Sequence, residues 1–590
     1  MRFLLICLFC FGFATAWAQD PAGSYRLQFG VRIPLPSGEN LHATMYAPAS
    51  RVDGKQRYPV LFTLTPYSAD SYHERAAYFA RYGYIFLLVD TRGRGNSEGS
   101  FDPLRQEAEV ASQVVSWLAK QAFSNGEVSM WGGSYAGYNQ WMAASKQPEG
   151  LFTIVPVASP YPPLDFPTAA NLGYTYVMQW LTLTSGKLSQ NNLFGDADFW
   201  RIHAMTTYKG EKPFAALDEV VGNPSPIFKE WITHPMQDSY WDAFVPTDAE
   251  LSAINLPILS VTGTYDGDQP GALEFYRRHM ALANTENQAR HYLLIGPWDH
   301  AGTRTPKAEF GGLKFGDASL LDMNKLHVDW YNFARGKGER PELLKDKVVY
   351  YVSGLERWQS ASSLAAVTLN EQALYLSSEG FNPDRATRIG DLRARADQNS
   401  DSDRFRYDPL DFSRAELIER AGSEPLRAQE VELSFDGDGL LYLSEVFTAD
   451  TVLAGRPRAA LYLSCDVPDT DVALNLHEIS ANGEATLLSS DAVRLRYRDS
   501  LRSAKPMPKN KVVRVDFGRF NFFAHRVKQG SRLRLSITAP NSPGVQKNFN
   551  SGGEVAFETA KDARVANVRI HLGVQHPSEL VLPMGEPQAE

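Results

Sequence analysis

Short, nearly continuous apolar runs recur through the first 300 residues, and they set the architecture. They fall at 58–65, 84–90, 128–131, 152–157, 257–262 and 291–295. A strand that is apolar on both faces needs cover on both sides, so these runs predict the middle of a parallel sheet flanked by helices. Ahead of them, period-two alternation on either side of Pro36-Ser37-Gly38-Glu39-Asn40 predicts a β-hairpin. Between 102 and 121, Leu104, Val110, Ala111, Val114, Val115 and Leu118 recur mostly at three- and four-residue steps, which predicts an amphipathic helix. Residues 165–250 break the alternation. They carry Tyr174, Tyr176, Trp180, Phe194, Trp200, Trp231, Tyr240 and Trp241 on a helical period without strand signals. An inserted helical cap is expected there, and packing of a peripheral helical subdomain accounts for the same aromatics equally well.

The pattern changes again after a helix near 319–335, at Gly336-Lys337-Gly338-Glu339-Arg340-Pro341. Beyond it come short strands with turns and no helices between them: 348–352, 373–376, 459–463, 512–515, 532–537 and 565–570. Such a series predicts a β-sandwich of jelly-roll type, with charged 383–425 as surface loops.

Length and composition narrow this further. At 590 residues one core is not enough, and 43% hydrophobic with 22% charged residues is a globular composition. A formal charge of −9 with no basic run argues against a nucleic-acid partner. The opening residues give one arginine, a short apolar stretch and Ala16-Trp17-Ala18 before Gln19, the form of a secretory signal cleaved after Ala18. Export to the periplasm or the medium is expected, and no later stretch is long and apolar enough to span a membrane. Of three cysteines only Cys465 lies beyond that signal, so no internal disulfide is expected.

The chemistry centres on Gly132-Gly133-Ser134-Tyr135-Ala136-Gly137, where an apolar strand meets a helical pattern through small residues. That is how a nucleophile elbow reads, with the Tyr135 N–H as an oxyanion donor. Its last place holds Ala136, with glycine delayed to Gly137. A general base and an orienting acid should sit at carboxyl ends of neighbouring strands. Two strand ends supply them, Gly263-Thr264-Tyr265-Asp266-Gly267-Asp268 and Gly296-Pro297-Trp298-Asp299-His300. The order Ser134, Asp266, His300 is that of α/β-hydrolases. Asp268 is the alternative orienting acid, and Asp266 is preferred as nearer the strand end. Tyr67, after the strand 58–65, is the expected second oxyanion donor. Asp90 and Arg92 are expected to form a supporting ion pair. No metal motif or cofactor fingerprint is present, so none is expected.

Together these motifs resemble the Xaa-Pro dipeptidyl-peptidase-like hydrolases of CocE/NonD type, a group that includes cocaine esterase, glutaryl acylases and α-amino-acid ester hydrolases. The matching residues are Thr65-Pro66-Tyr67, Asp90-Thr91-Arg92-Gly93-Arg94-Gly95, the Ser134 elbow, Tyr265-Asp266-Gly267, Gly296-Pro297-Trp298-Asp299-His300 and, in the C-terminal half, Ser536-Ile537-Thr538-Ala539-Pro540-Asn541. In that group the elbow is G-x-S-Y-x-G, which accommodates Ala136. The resemblance implies a signal at 1–18, an α/β-hydrolase domain over 24–164 and 251–343, a helical cap over 165–250, and a jelly roll over 345–583. It implies Ser134 as nucleophile, His300 as base, Asp266 as its partner, and Tyr67 with the Tyr135 N–H as oxyanion hole. The expected activity is cleavage of small acyl esters or amides. Alternatives are Xaa-Pro dipeptide release, α-amino-acid ester hydrolysis or β-lactam acylase activity, and, outside catalysis, glycan or partner binding on a silent fold. Relatives that take α-amino esters hold the ammonium with clustered carboxylates. Here Asp268 is followed by Gln269, and a third acid near Asp165 is not placed by sequence. The natural substrate and the oligomeric state, a homo-oligomer included, are not legible in the chain.

Overall fold

The computed structural model describes residues 24–50, 56–67, 72–378, 389–399, 401–420, 425–427, 438–540 and 542–586. The expected signal segment lies outside the described residues. Ten strands form the first sheet: β1 (Tyr25–Pro34), β2 (Asn40–Pro48), β3 (Tyr58–Thr65), β4 (Ile85–Asp90), β5 (Ser124–Gly133), β6 (Leu151–Val157), β7 (Ile258–Tyr265), β8 (His291–Asp299), β9 (Val348–Val352) and β10 (Arg357–Ala361). Their order is β1-β2-β4-β3-β5-β6-β7-β8-β9-β10, with the seven strands from β4 to β9 parallel.

The doubly apolar runs behave as their pattern requires. In β3, Val60, Phe62 and Leu64 enter one core while Leu61 enters the other, and β4 divides Ile85, Leu87 and Val89 from Phe86 and Leu88 in the same way. On the first side pack the helices Glu107–Ala119 (α2) and Tyr135–Ser145 (α3), and on the second His73–Arg81 (α1) and Met323–Ala334 (α5). Helix α4 (Gln269–Leu282) follows β7.

Two expectations are corrected. Residues 348–352 belong to the hydrolase sheet, not the sandwich: β9 runs parallel to β8, and β10 closes the edge antiparallel to β9. All five β9 residues are buried, as an inner parallel strand demands, and the strands of the β-sandwich itself follow beyond Ala361. Within 383–425, expected to be loops, Ile389–Arg393 and Ser402–Tyr407 are strands and Ser413–Arg420 is a helix. Their apolar content is small because one face of Ser402–Tyr407 suffices, with Phe405 and Tyr407 turned inward. The cap over 165–250 is helical as expected, with Tyr176–Leu183, Ala197–Tyr208 and Pro226–Ile232 as its longer helices. It also holds a two-stranded ribbon of Thr168–Ala169 with Leu172–Gly173.

The C-terminal β-sandwich buries its own core, including Leu461, Leu474, Leu535, Val568 and Leu580. It is fused to the hydrolase domain through a shared cluster in which Leu273 and Tyr276 of α4 meet Phe522, Ala524 and Val452.

Candidate active site

Because β3 to β8 run parallel, their carboxyl ends share one edge, and the four sequence-selected loops converge there. Ser134 joins β5 to α3 with φ 60° and ψ −127°, a conformation that a non-glycine residue adopts at a cost of about 1–3 kcal/mol. Its N–H is held by the Val157 carbonyl at 2.9 Å, and its own carbonyl accepts from Gly137 and Tyr138. Small neighbours are obligatory at this turn. A Cβ on Gly133 would collide with the Arg304 side chain, and one on Gly137 would lie 2.6 Å from the Val157 carbonyl oxygen. The glycine that lets α3 lie against β6 is thus Gly137. Ala136 is accommodated because the residue it faces, Gly132, has no side chain.

His300 Nδ1 lies 2.8 Å from Asp266 Oδ1 and 3.6 Å from Asp268 Oδ2. Asp266 is fully buried, and it also accepts from the Asp268 N–H at 3.0 Å and the Thr262 hydroxyl at 3.0 Å. Burial opposes its charge, but the facing imidazole and these donors hold its carboxyl below the ordinary range. Burial likewise disfavours imidazolium at His300, and the carboxylates of Asp266 and Asp268 outweigh it, so the His300 pKa is raised. Ligand atoms of Asp266, Asp268 and His300 lie within 4.8 Å of one another, the spacing a cation would need. Three of the lone-pair positions on Asp266 are already taken by His300, Asp268 and Thr262.

Tyr67 lines the same cavity as Ser134, and its hydroxyl accepts from Trp180 Nε1 at 2.8 Å. Indole N–H only donates, so the phenolic proton is left free for another acceptor. Burial pushes Tyr67 up to about 12, which keeps that proton in place at neutral pH. The Tyr135 N–H is among the unpaired donors that open α3. Its side chain is anchored away from the site: the ring stacks on Trp180 at 5.6 Å, and the hydroxyl donates to the fully buried Glu107 at 2.6 Å.

Ser134, Tyr67, Tyr135, Asp268 and His300 line one cavity of about 940 Å³, walled by the sheet edge, the cap and the β-sandwich. Asp165 lines it too, accepting from the backbone N–H groups of Tyr161 (2.8 Å) and Gly271 (2.5 Å). Burial raises the Asp165 carboxyl, with the Asp266 charge adding to it, and burial raises Asp268, with Asp165 and Asp266 adding to it.

The expected Asp90–Arg92 pair does not form: Arg92 turns to Glu39 of the hairpin loop, with bonds of 2.5 and 2.8 Å. Sequence reasoning gave no role to Glu107 and did not single out Trp180 among the cap aromatics. Their signal is chemical and faint: an acid at the start of an apolar helix face, and one indole among many rings. Gln269 is not a substitute acid. Its amide donates to Phe522 O at 2.9 Å and accepts from Phe522 N at 2.6 Å, tying the loop after Asp266 to the β-sandwich.

Sheet order and the placement of Ser134 define the molecule as an α/β-hydrolase, and its nucleophile turn marks it as a serine hydrolase. The comparisons narrow the class. Residues 37–302 match the family model "X-Pro dipeptidyl-peptidase (S15 family)", and residues 341–581 match "X-Pro dipeptidyl-peptidase C-terminal non-catalytic domain". The chain belongs to the X-Pro dipeptidyl-peptidase-like, CocE/NonD family of serine hydrolases. It is 27% identical to cocaine esterase of Rhodococcus over 95% of this chain and 99% of that one. Among solved structures, an α-amino acid ester hydrolase shares the fold with a TM-score of 0.80 at 21% identity, covering 96% and 98% of the two chains. An aminopeptidase from a marine sediment thaumarchaeon does so with a TM-score of 0.78 at 19% identity, covering 96% and 97%.

Proposed function

We propose that the protein is exported with loss of residues 1–18 and hydrolyses small acyl esters or amides through an acyl-enzyme on Ser134. The Ser134 hydroxyl attacks the carbonyl while His300 Nε2 takes its proton, and Asp266 holds the proton on Nδ1 so that Nε2 is the basic nitrogen. Negative charge developing on the carbonyl oxygen meets the Tyr135 N–H and the Tyr67 hydroxyl. His300 then protonates the departing alcohol or amine, and water repeats the sequence to free the acid. The observation that carries this reading is the 2.8 Å Asp266–His300 bond in a cavity that Ser134 also lines. Replacing Ser134→Ala should abolish p-nitrophenyl ester hydrolysis while leaving the unfolding transition in place, and a fluorophosphonate should label the parent at Ser134 alone. Turnover near that of the parent in the variant ends the reading. N-terminal sequencing of the secreted chain tests processing at Ala18.

A second reading, hydrolysis of α-amino acyl substrates, is favoured by Asp165 and Asp268. A buried carboxyl, Asp165, and a half-buried one, Asp268, with no ion-pair partner besides His300 among the described residues, suit an ammonium. The esterase, ester-hydrolase and aminopeptidase names of the relatives fit both readings. Comparing a free α-amino ester, its N-acetyl form and an Ala-Pro anilide decides between them.

A further inference from the structure

The acidic groups beside Ser134 are matched by basic groups elsewhere on the same cavity wall. Pro270, Glu274 and Arg277 line it from one face of α4, and Arg456, Asp491 and Arg519 line it from the β-sandwich. Arg277 is paired with Glu274 at 2.5 Å. Asp491 accepts the Arg519 backbone N–H at 2.8 Å and lies 3.9 Å from its guanidinium. Arg456 is left over: among the described residues its guanidinium has no hydrogen bond or ion pair, although it is half-buried. Burial and the neighbouring Arg277 both work against its charge, with Glu274 and Asp491 as a partial offset. Three arginines face two carboxylates here, so this end of the cavity carries one uncompensated positive charge. A half-buried guanidinium without a counter-ion is costly, and a planar carboxylate is the group its fork of donors fits.

The separation of the two ends sets a length. Arg277 lies nine positions after Asp268 along α4, which at 1.5 Å per residue is about 13 Å. An extended peptide of roughly four residues covers that distance.

We propose that Arg456 is the anion-binding element of a second subsite in this cavity, and that it receives the terminal carboxylate of a short peptide-like substrate whose amine lies at Asp165 and Asp268. The proposal rests on the α-amino acyl reading above and makes it narrower: the preferred substrate is a zwitterion of about tetrapeptide length, not a neutral ester. The β-sandwich then supplies a binding group as well as a wall.

Calorimetric titration of the full-length Ser134→Ala protein with tetra-alanine and with tetra-alanine C-terminal amide reads binding without turnover. The free acid should bind about tenfold more tightly than the amide, and the advantage should shrink between 50 and 500 mM salt. Adding Arg456→Gln should bring the ratio close to one, and Arg456→Lys should keep part of it. A ratio near one without the Arg456 change overturns the proposal, as does a tenfold ratio that survives Arg456→Gln or a loss that falls equally on acid and amide. Failure of the hydrolase reading shows elsewhere, as ester turnover that persists without Ser134. Failure of the amine reading shows as equal binding of tetra-alanine and its N-acetyl form.

Discussion

Glu107 shows how one buried side chain can govern the site from behind. It does not line the cavity, yet it accepts a 2.6 Å hydrogen bond from the Tyr135 hydroxyl and so fixes the residue whose N–H is the proposed oxyanion donor. Burial pushes its carboxyl from an ordinary 4.5 up to about 7. The folded chain therefore holds a proton that the unfolded chain has lost between those values, and the associated stability is complete below pH 4.5 and disappears as pH rises through 7. The amount is on the order of 3 kcal/mol. Glu107→Gln keeps an acceptor for Tyr135 and removes the titration, so thermal unfolding of the parent should weaken between pH 5 and 8 more steeply than that of the variant. Parallel curves would show that Glu107 does not titrate there. Tyr67 has the opposite arrangement: a donor-only neighbour, Trp180, leaves its proton free for another acceptor.

Among elements, the decisive contact is α3 against β6. Gly137 permits it, since a methyl group there would stand 2.6 Å from the backbone oxygen of Val157, which is itself bonded to the Ser134 N–H. Backbone on both sides leaves no flexible group to give way. Gly137→Ala should cost about 1–3 kcal/mol of stability. It should also lower kcat more than it raises KM, because the displaced helix carries the Tyr135 N–H; a variant with parent-like melting and kcat would refute the tight contact. The strand-end loops obey a similar constraint. β7 and β8 lose regular register between Gly296 and Asp299, where the Trp298 carbonyl sits against Gly263, and that irregularity delivers His300 to Asp266.

At the scale of the whole molecule the β-sandwich is part of the site rather than an appendage. Gln269 holds both backbone groups of Phe522, and the cap meets the sandwich through Thr175 N to Gly544 O at 2.9 Å and Gln546 N to Gly173 O at 2.8 Å. Gln269→Leu preserves size but strands the Phe522 N–H and carbonyl, each a buried group costing about 1–3 kcal/mol unpaired. A lower melting temperature with reduced ester turnover is expected, measured together on the full chain. Unaltered melting would mean that water or a backbone shift replaces the clamp.

The parallel sheet was legible because burial on both faces leaves an unbroken apolar run, and the nucleophile turn because only small residues fit where strand and helix nearly touch. Strand-end position singled out Asp266 and His300 for the same reason, since parallel strands must bring those ends to one edge. Sequence placed residues 348–352 in the sandwich when they belong to the hydrolase sheet, because an all-apolar run suits the inner strand of either domain. It also could not tell Trp180 from its fellow aromatics, or give Arg92, Gln269, Asp165 and Arg456 their surroundings. Polar partners separated by tens to hundreds of residues leave no periodic trace, so which charges meet, and which one stays unmatched, was decided only when the three parts of the chain closed around the cavity.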